Sequence, residues 1–205
     1  MSETEVDPES LQEELGQIKE ALGLAEEHPY WWRFWLLEGV GLGVTLPVVQ
    51  VGLRDGFSPP LLALAIGLFL AHQFLTWRAL ERYDRPTGGV PSWRAWNVTY
   101  GAGAVAAAIG LLPVLERLAT DDMFVTAFVV ATAISGVAYL YMGQLLASYN
   151  IRAPDCYAFY TGGVWLLVLA AVVPHIPPLL GWEFAVLGIG LAAHNVGAYV
   201  VLSRV

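Results

Sequence analysis

Three ionisable side chains fall inside long apolar runs of the sequence: Glu38, His72 and His194. A charge at the centre of a bilayer is costly, so a group of this kind is retained for a proton pathway, an ion site, or a partner on another helix. A carboxylate and two imidazoles at similar depth suit proton uptake and release near neutral pH, or the holding of a cation. The two histidines alone could instead ligate a haem b through their ring nitrogens, as in an electron-transfer subunit. Gln73, Asn97, Thr99, Tyr100, Gln144, Tyr160, Thr161 and Asn195 fall at the same depth. Such residues also serve simply as hydrogen-bonding links between membrane helices, and Glu38 is close enough to its span end to reach Arg33 or Arg82. The candidate ligand or proton-relay set is Glu38, His72, Gln73, His194, Asn195, Tyr100 and Gln144.

Several chemistries lack their parts. No lysine lies in any apolar run, which removes a retinal Schiff base. GxxxxGK[ST], HExxH and GxSxG are absent, and with them nucleotide hydrolysis, zincin chemistry and serine hydrolysis. Thr99-Tyr100-Gly101 does not continue into a potassium filter. The single cysteine, Cys156, forms no intramolecular disulfide or CxxC pair and reads as a packing residue. His28 and His175 fall at span ends, where structural roles are commonest.

The elements that must position these residues are transmembrane helices. A hydrophobic share of 57%, a charged share of 14% and a mean hydropathy of +0.57 belong to a chain that lives in lipid. The fold class predicted is an all-α polytopic membrane bundle of about six helices. At about 20 residues per crossing, the spans fall at 34–53, 59–77, 97–116, 123–147, 157–176 and 183–203. Residues 1–33 form a separate acidic helix and an aromatic belt at Tyr30, Trp31, Trp32 and Trp35, and 34–205 form the membrane domain. Trp77, Trp93, Trp96, Tyr149, Tyr157 and Trp182 also fall near span ends, where aromatic rings prefer to sit. Gly39 and Gly43 have the spacing that lets two helix backbones approach closely, and Pro47 should kink the first span.

Charge orients the bundle. With both termini cytoplasmic, the inner segments hold Lys19, Arg33, Arg78, Arg82, Arg85, Arg94, Arg152 and Arg204, and the outer loops only Arg54 and Arg117, as the positive-inside rule expects. The loop at 78–95, with Pro86, Gly88, Gly89 and Pro91, is irregular and accessible. No cleavable signal peptide is visible, since no positive segment precedes an early apolar run. Nine of the 18 acidic residues fall within the first 27 positions, giving no electrostatic reason to bind nucleic acid. Leu11, Leu15, Ile18 and Leu22 set one apolar stripe on that acidic segment, suited to docking on the bundle, a second copy or a membrane-complex partner through residues 9–27. Nine arginines against one lysine, together with the net charge of -8, resemble the composition of proteins from salt-loving archaea. An offset of 61 matches Gly101 to Gly162 and Pro113 to Pro174, and twice that matches His72 to His194, hinting at three repeated hairpins.

The function expected is a small transporter or channel-like protein of the plasma membrane, its polar site open to the cytoplasm. The alternatives are a haem-bearing electron-transfer subunit, an assembly subunit that docks a partner through its N-terminal helix, and a lipid-modifying membrane enzyme, for which no motif is present.

Overall fold

The computed structural model describes Glu14, Leu15, Gln17, Ile18 and residues 32–81, 93–149 and 151–204. These are helical, with no strand among them. Six helices are long and apolar enough to cross a membrane, the architecture of a multi-pass membrane protein. They are α1 (Trp32–Asp55), α2 (Pro59–Glu81), α3 (Trp93–Leu115), α4 (Thr120–Ala147), α5 (Ala153–Val172) and α6 (Glu183–Leu202). Two short 3₁₀ turns, Val173–His175 and Pro177–Leu179, join α5 to α6. The bundle has a near end, where α1 begins and α6 finishes, and a far end, where α1 passes into α2.

Local chemistry moves several boundaries from the predicted spans. The fifth helix starts at Ala153, four residues before the predicted 157, because Pro154 suits a first helical turn and Arg152 Nε donates to Asp155 across that turn at 2.9 Å. It stops at Val172 because Pro174 cannot continue the ladder. The fourth begins at Thr120, three residues early, and carries Asp121 and Asp122 in its first turn, where the helix dipole favours negative charge. The third runs from Trp93 instead of 97. Of the N-terminal stripe, Leu15 and Ile18 are helical and more than half exposed; Leu11 and Leu22, the belt residues Tyr30 and Trp31, and most of the 78–95 loop lie outside the described residues.

Small residues decide which helices pack. In lipid no hydrophobic force draws apolar helices together, so close backbone approach and interhelical hydrogen bonds must do it. α1 and α6 make the most extensive contact. There a Cβ on Gly39 would lie 2.9 Å from Asn195 Cβ, one on Gly43 2.8 Å from Ala192 Cβ, and one on Gly188 2.9 Å from Pro47 Cδ. The α4–α5 pair is built the same way: a Cβ on Gly136 would meet the Gly163 carbonyl at 3.0 Å, and one on Gly163 the Gly136 carbonyl at 2.8 Å. Aromatic and aliphatic side chains fill the space between the two pairs. Trp35 packs on Phe159 with centroids 4.7 Å apart at the near end, and Phe128, Leu166 and Leu191 close the far half.

α2 docks on α1 through one buried stripe, Ala65, His72, Thr76 and Leu80. α3 touches mainly α4, buries none of its span, and leaves open space around Gly101, Gly103 and Gly110. The packing is therefore two tight helix pairs with α2 and α3 on the flanks, not three equivalent hairpins.

This pattern sets an expected outcome for two leucine substitutions. Gly188→Leu forces α1 and α6 apart and should lower stability by about 1–3 kcal/mol, the usual range for overpacking, whereas Gly103→Leu meets only open space. Thermal unfolding of the two purified variants in the same detergent checks the contrast, and equal losses would contradict the close α1–α6 packing.

Candidate functional site

Glu38 lies six residues into α1, about 9 Å along the helix from the near end, and His72 lies nine residues before the end of α2, about 13 Å deep. Antiparallel packing brings them to one level. His72 Nε2 and Glu38 Oε2 share a hydrogen bond of 2.9 Å, an ion pair whenever the imidazole is protonated. Both side chains are largely shut off from the exterior, at 4% and 13% exposure. Gly41 makes the contact possible: a Cβ there would lie 2.2 Å from His72 Cδ2, so only a glycine admits the ring. His72 Nδ1 is buried with no hydrogen-bond partner.

His194 occupies a different interface. Its Nε2 lies 3.1 Å from the Ala158 carbonyl on α5, and its ring stands edge-on to Trp35 with centroids 5.7 Å apart. Again a glycine makes the room, since a Cβ on Gly162 would fall 2.6 Å from His194 Nε2. The two imidazoles thus sit in the α1–α2 and α5–α6 interfaces, each with its Nε2 engaged by a protein oxygen. No group of three or more His, Cys, Asp or Glu side chains able to hold a metal ion occurs among the described residues.

Asn195, beside His194 in sequence, faces α1 and is fully buried at the Gly39 crossing. The Tyr139 hydroxyl of α4 approaches its amide, yet neither amide atom has a partner in full hydrogen-bond geometry. Glu38, His72, Tyr139 and Asn195 therefore form a polar centre drawn from four helices. Gln73 is half-buried next to His72 in sequence, Gln144 is exposed on α4, and Tyr100 stacks on Trp96 of α3 at 4.0 Å, on the flank of the bundle.

Tyr139 escaped the sequence reading because it sits in a run of apolar residues with no charge to mark it. Thr76 escaped as well, although its spacing of four from His72 places it on the same helical face. The far end has its own polar lock. Gln50, fully buried, donates from Nε2 to the Gly181 carbonyl at 2.9 Å and accepts the Phe184 N–H at 2.8 Å. Glu183 Oε1 accepts the Gly181 N–H at 2.7 Å. These bonds tie α1 to the first turn of α6 and hold Gly181 in its left-handed turn, φ +81°.

No family model, curated protein or solved structure matches the chain.

Gln50→Leu keeps the volume but strands the Phe184 N–H and the Gly181 carbonyl, each at a cost of about 1–3 kcal/mol. The expected result is faster amide exchange over 181–187 in hydrogen-exchange mass spectrometry, with the Trp35–Phe159 end of the bundle unchanged. Uniform protection would show that Gln50 is not what fastens α6 at the far end.

Proposed function

We propose that this protein is a small proton-linked transporter or channel-like protein of the plasma membrane, in which Glu38 and His72 are the proton-binding pair. The observation that carries this reading is the 2.9 Å carboxylate–imidazole contact between two helices that have the length and composition of membrane spans. Two apolar residues would join α1 to α2 without the expense of desolvating a titratable pair, so the pair is kept for what it can do. What it can do is hold one proton between two groups and give it up to either side. Gln73, next to His72 in sequence, and Asn195, buried at the Gly39 crossing, flank that pair, whereas Tyr100 lies on the flank of the bundle, Gln144 on the exposed face of α4 and His194 in the α5–α6 interface.

The near end is the cytoplasmic one in this proposal. Arg33, Arg78, Arg94, Arg152 and Arg204 all fall there, against Arg54 and Arg117 at the far end, where Asp55, Glu116, Asp121 and Asp122 also lie. The polar centre is shallow from the near end and separated from the far end by the Gln50 lock, which supports a site reached from the cytoplasm.

Reconstitution into liposomes with a pH-sensitive dye inside tests the reading. A potassium diffusion potential should drive proton movement in the wild-type protein, and Glu38→Gln and His72→Ala should abolish it while His175→Ala leaves it intact. Wild-type vesicles no leakier than empty ones, under both polarities and across a panel of co-solutes, would overturn it.

A second reading rests on Leu15 and Ile18, whose exposure on a helical turn suits a docking surface for a membrane-complex partner. Removing residues 1–27 should then release a co-purifying protein while the remaining bundle keeps its helicity and melting temperature. If the same proteins co-purify with and without the segment, docking is not its role.

A further inference from the structure

The buried hydroxyls of this bundle behave differently from the exposed ones. Thr99, Ser135 and Thr161, all exposed, donate to the carbonyl four residues earlier at 2.8–2.9 Å, the usual way a helix satisfies a hydroxyl in lipid. Thr45, Thr76 and, on α4, Thr132 are more than nine-tenths buried, and their Oγ1 atoms have no hydrogen-bond partner. The same holds for Nδ1 of His72 and for both amide atoms of Asn195. In a membrane each such group is costly to leave unmet. Their partner must offer both a donor and an acceptor, because an amide and an imidazole between them demand both.

Three of these groups, Thr45, His72 and Thr76, share the α1–α2 interface. Thr76 lies one turn from His72 toward the near end, on the same buried stripe of α2. Thr45 lies one turn beyond Gly41, the residue of α1 against which the His72 ring closes, and a crevice of about 380 Å³ holds both Thr45 and His72 among otherwise apolar lining residues, with Thr76 one turn outside it. One helical turn is about 5.4 Å, and a single water making two hydrogen bonds of about 2.8 Å spans that distance.

We infer that ordered water binds in the α1–α2 interface beside Thr76, His72 and Thr45, with a further water at the Asn195 amide, and that this column delivers protons to Nδ1 of His72. With Glu38 ionised, Nε2–H of His72 donates to Oε2 and Nδ1 is left as an acceptor. A proton arriving through the water binds Nδ1, and the Nε2 proton passes to Oε2. The product is a neutral Glu38 and a neutral His72 protonated on Nδ1, one proton gained and one negative charge removed. The reverse sequence releases it. The hydration stands on the buried polar atoms alone, whereas the delivery of protons rests on the transport reading given above.

The test is infrared spectroscopy of the full chain in lipid nanodiscs, before and after exchange into heavy-oxygen water, with proton flux measured on the same preparations in liposomes. The wild-type protein should show internal-water O–H bands that shift on exchange. Those bands should be lost in the Thr45→Val, Thr76→Val double variant and retained in Thr76→Ser, with flux falling several-fold in the former and not in the latter. Absence of the bands in the wild type, or their persistence in the double valine variant, overturns the assignment. Bands that behave as expected in a protein without proton flux leave the hydration standing and remove the transport reading. Hydroxyl-radical footprinting of the wild-type protein gives an answer independent of any variant's folding: bound water should label His72 despite its burial, and an unlabelled His72 beside labelled surface residues overturns the column.

Discussion

In hydrocarbon a polar side chain has no solvent to fall back on, and the arrangement of this bundle follows from where its few polar groups find partners. The Glu38–His72 bond fixes α2 against α1 at one level, because no other register brings that carboxylate to that ring. Gln50 does the same for α1 and α6 at the far end, meeting one donor and one acceptor at the turn where α6 begins. Trp165 joins α5 to α6 through Nε1 and the Gly190 carbonyl at 2.9 Å. Apolar surface sets no register in lipid, since one leucine contact is much like the next. The polar bonds fix the alignment of α1–α2, α1–α6 and α5–α6, while close glycine packing sets that of α4–α5.

Glycine is the steric counterpart of this scheme. Both intramembrane imidazoles are seated against a glycine of the adjoining helix, His72 on Gly41 and His194 on Gly162, at distances that leave no room for a methyl group. The small residues at Gly39, Gly43 and Gly188 serve backbone approach instead. On α1 these two duties fall on different faces, since residues 39 and 43 turn toward α6 while 38 and 41 turn toward α2. One glycine-rich stretch, Glu38-Gly39-Val40-Gly41-Leu42-Gly43, thereby grips two helices and carries the ionisable group between them. Its composition is a packing solution that also seats the Glu38–His72 pair.

The number of helices, their approximate limits and the presence of three intramembrane ionisable groups were legible in the sequence, because length and hydropathy report directly on what can cross a bilayer. Depth was legible too, since alternate spans run in opposite directions. Which face each group presents was not. Glu38, His72 and His194 share a level, but depth does not distinguish the α1–α2 interface from the α5–α6 interface, and the histidines lie in different ones. Gln144 and Tyr100 fall in the right layer by the same logic, yet one is exposed and the other belongs to a helix on the flank. A period of 3.6 residues marks a buried stripe only when the opposite face is polar, and a helix surrounded by lipid is apolar on every side. Tyr139 was therefore hidden among neighbours that look alike in sequence, and Gln50, visible as a polar exception in an aliphatic outer half, gave no sign of the helix it would bond.

The two ends of the bundle divide the labour. At the far end Gln50 bonds both Gly181 and Phe184, Glu183 Oε1 caps the Gly181 turn while its Oε2 is buried without a partner, and Arg54 lies over the Trp182 ring at 4.7 Å. From the centre toward the near end, polar atoms on His72, Thr76 and Asn195 are buried but uncommitted. A bundle selected only for stability would satisfy these groups internally or replace them with apolar residues, because each uncommitted atom weakens it. In the transport reading proposed above, uncommitted polar atoms of this kind are what a site that binds and releases requires.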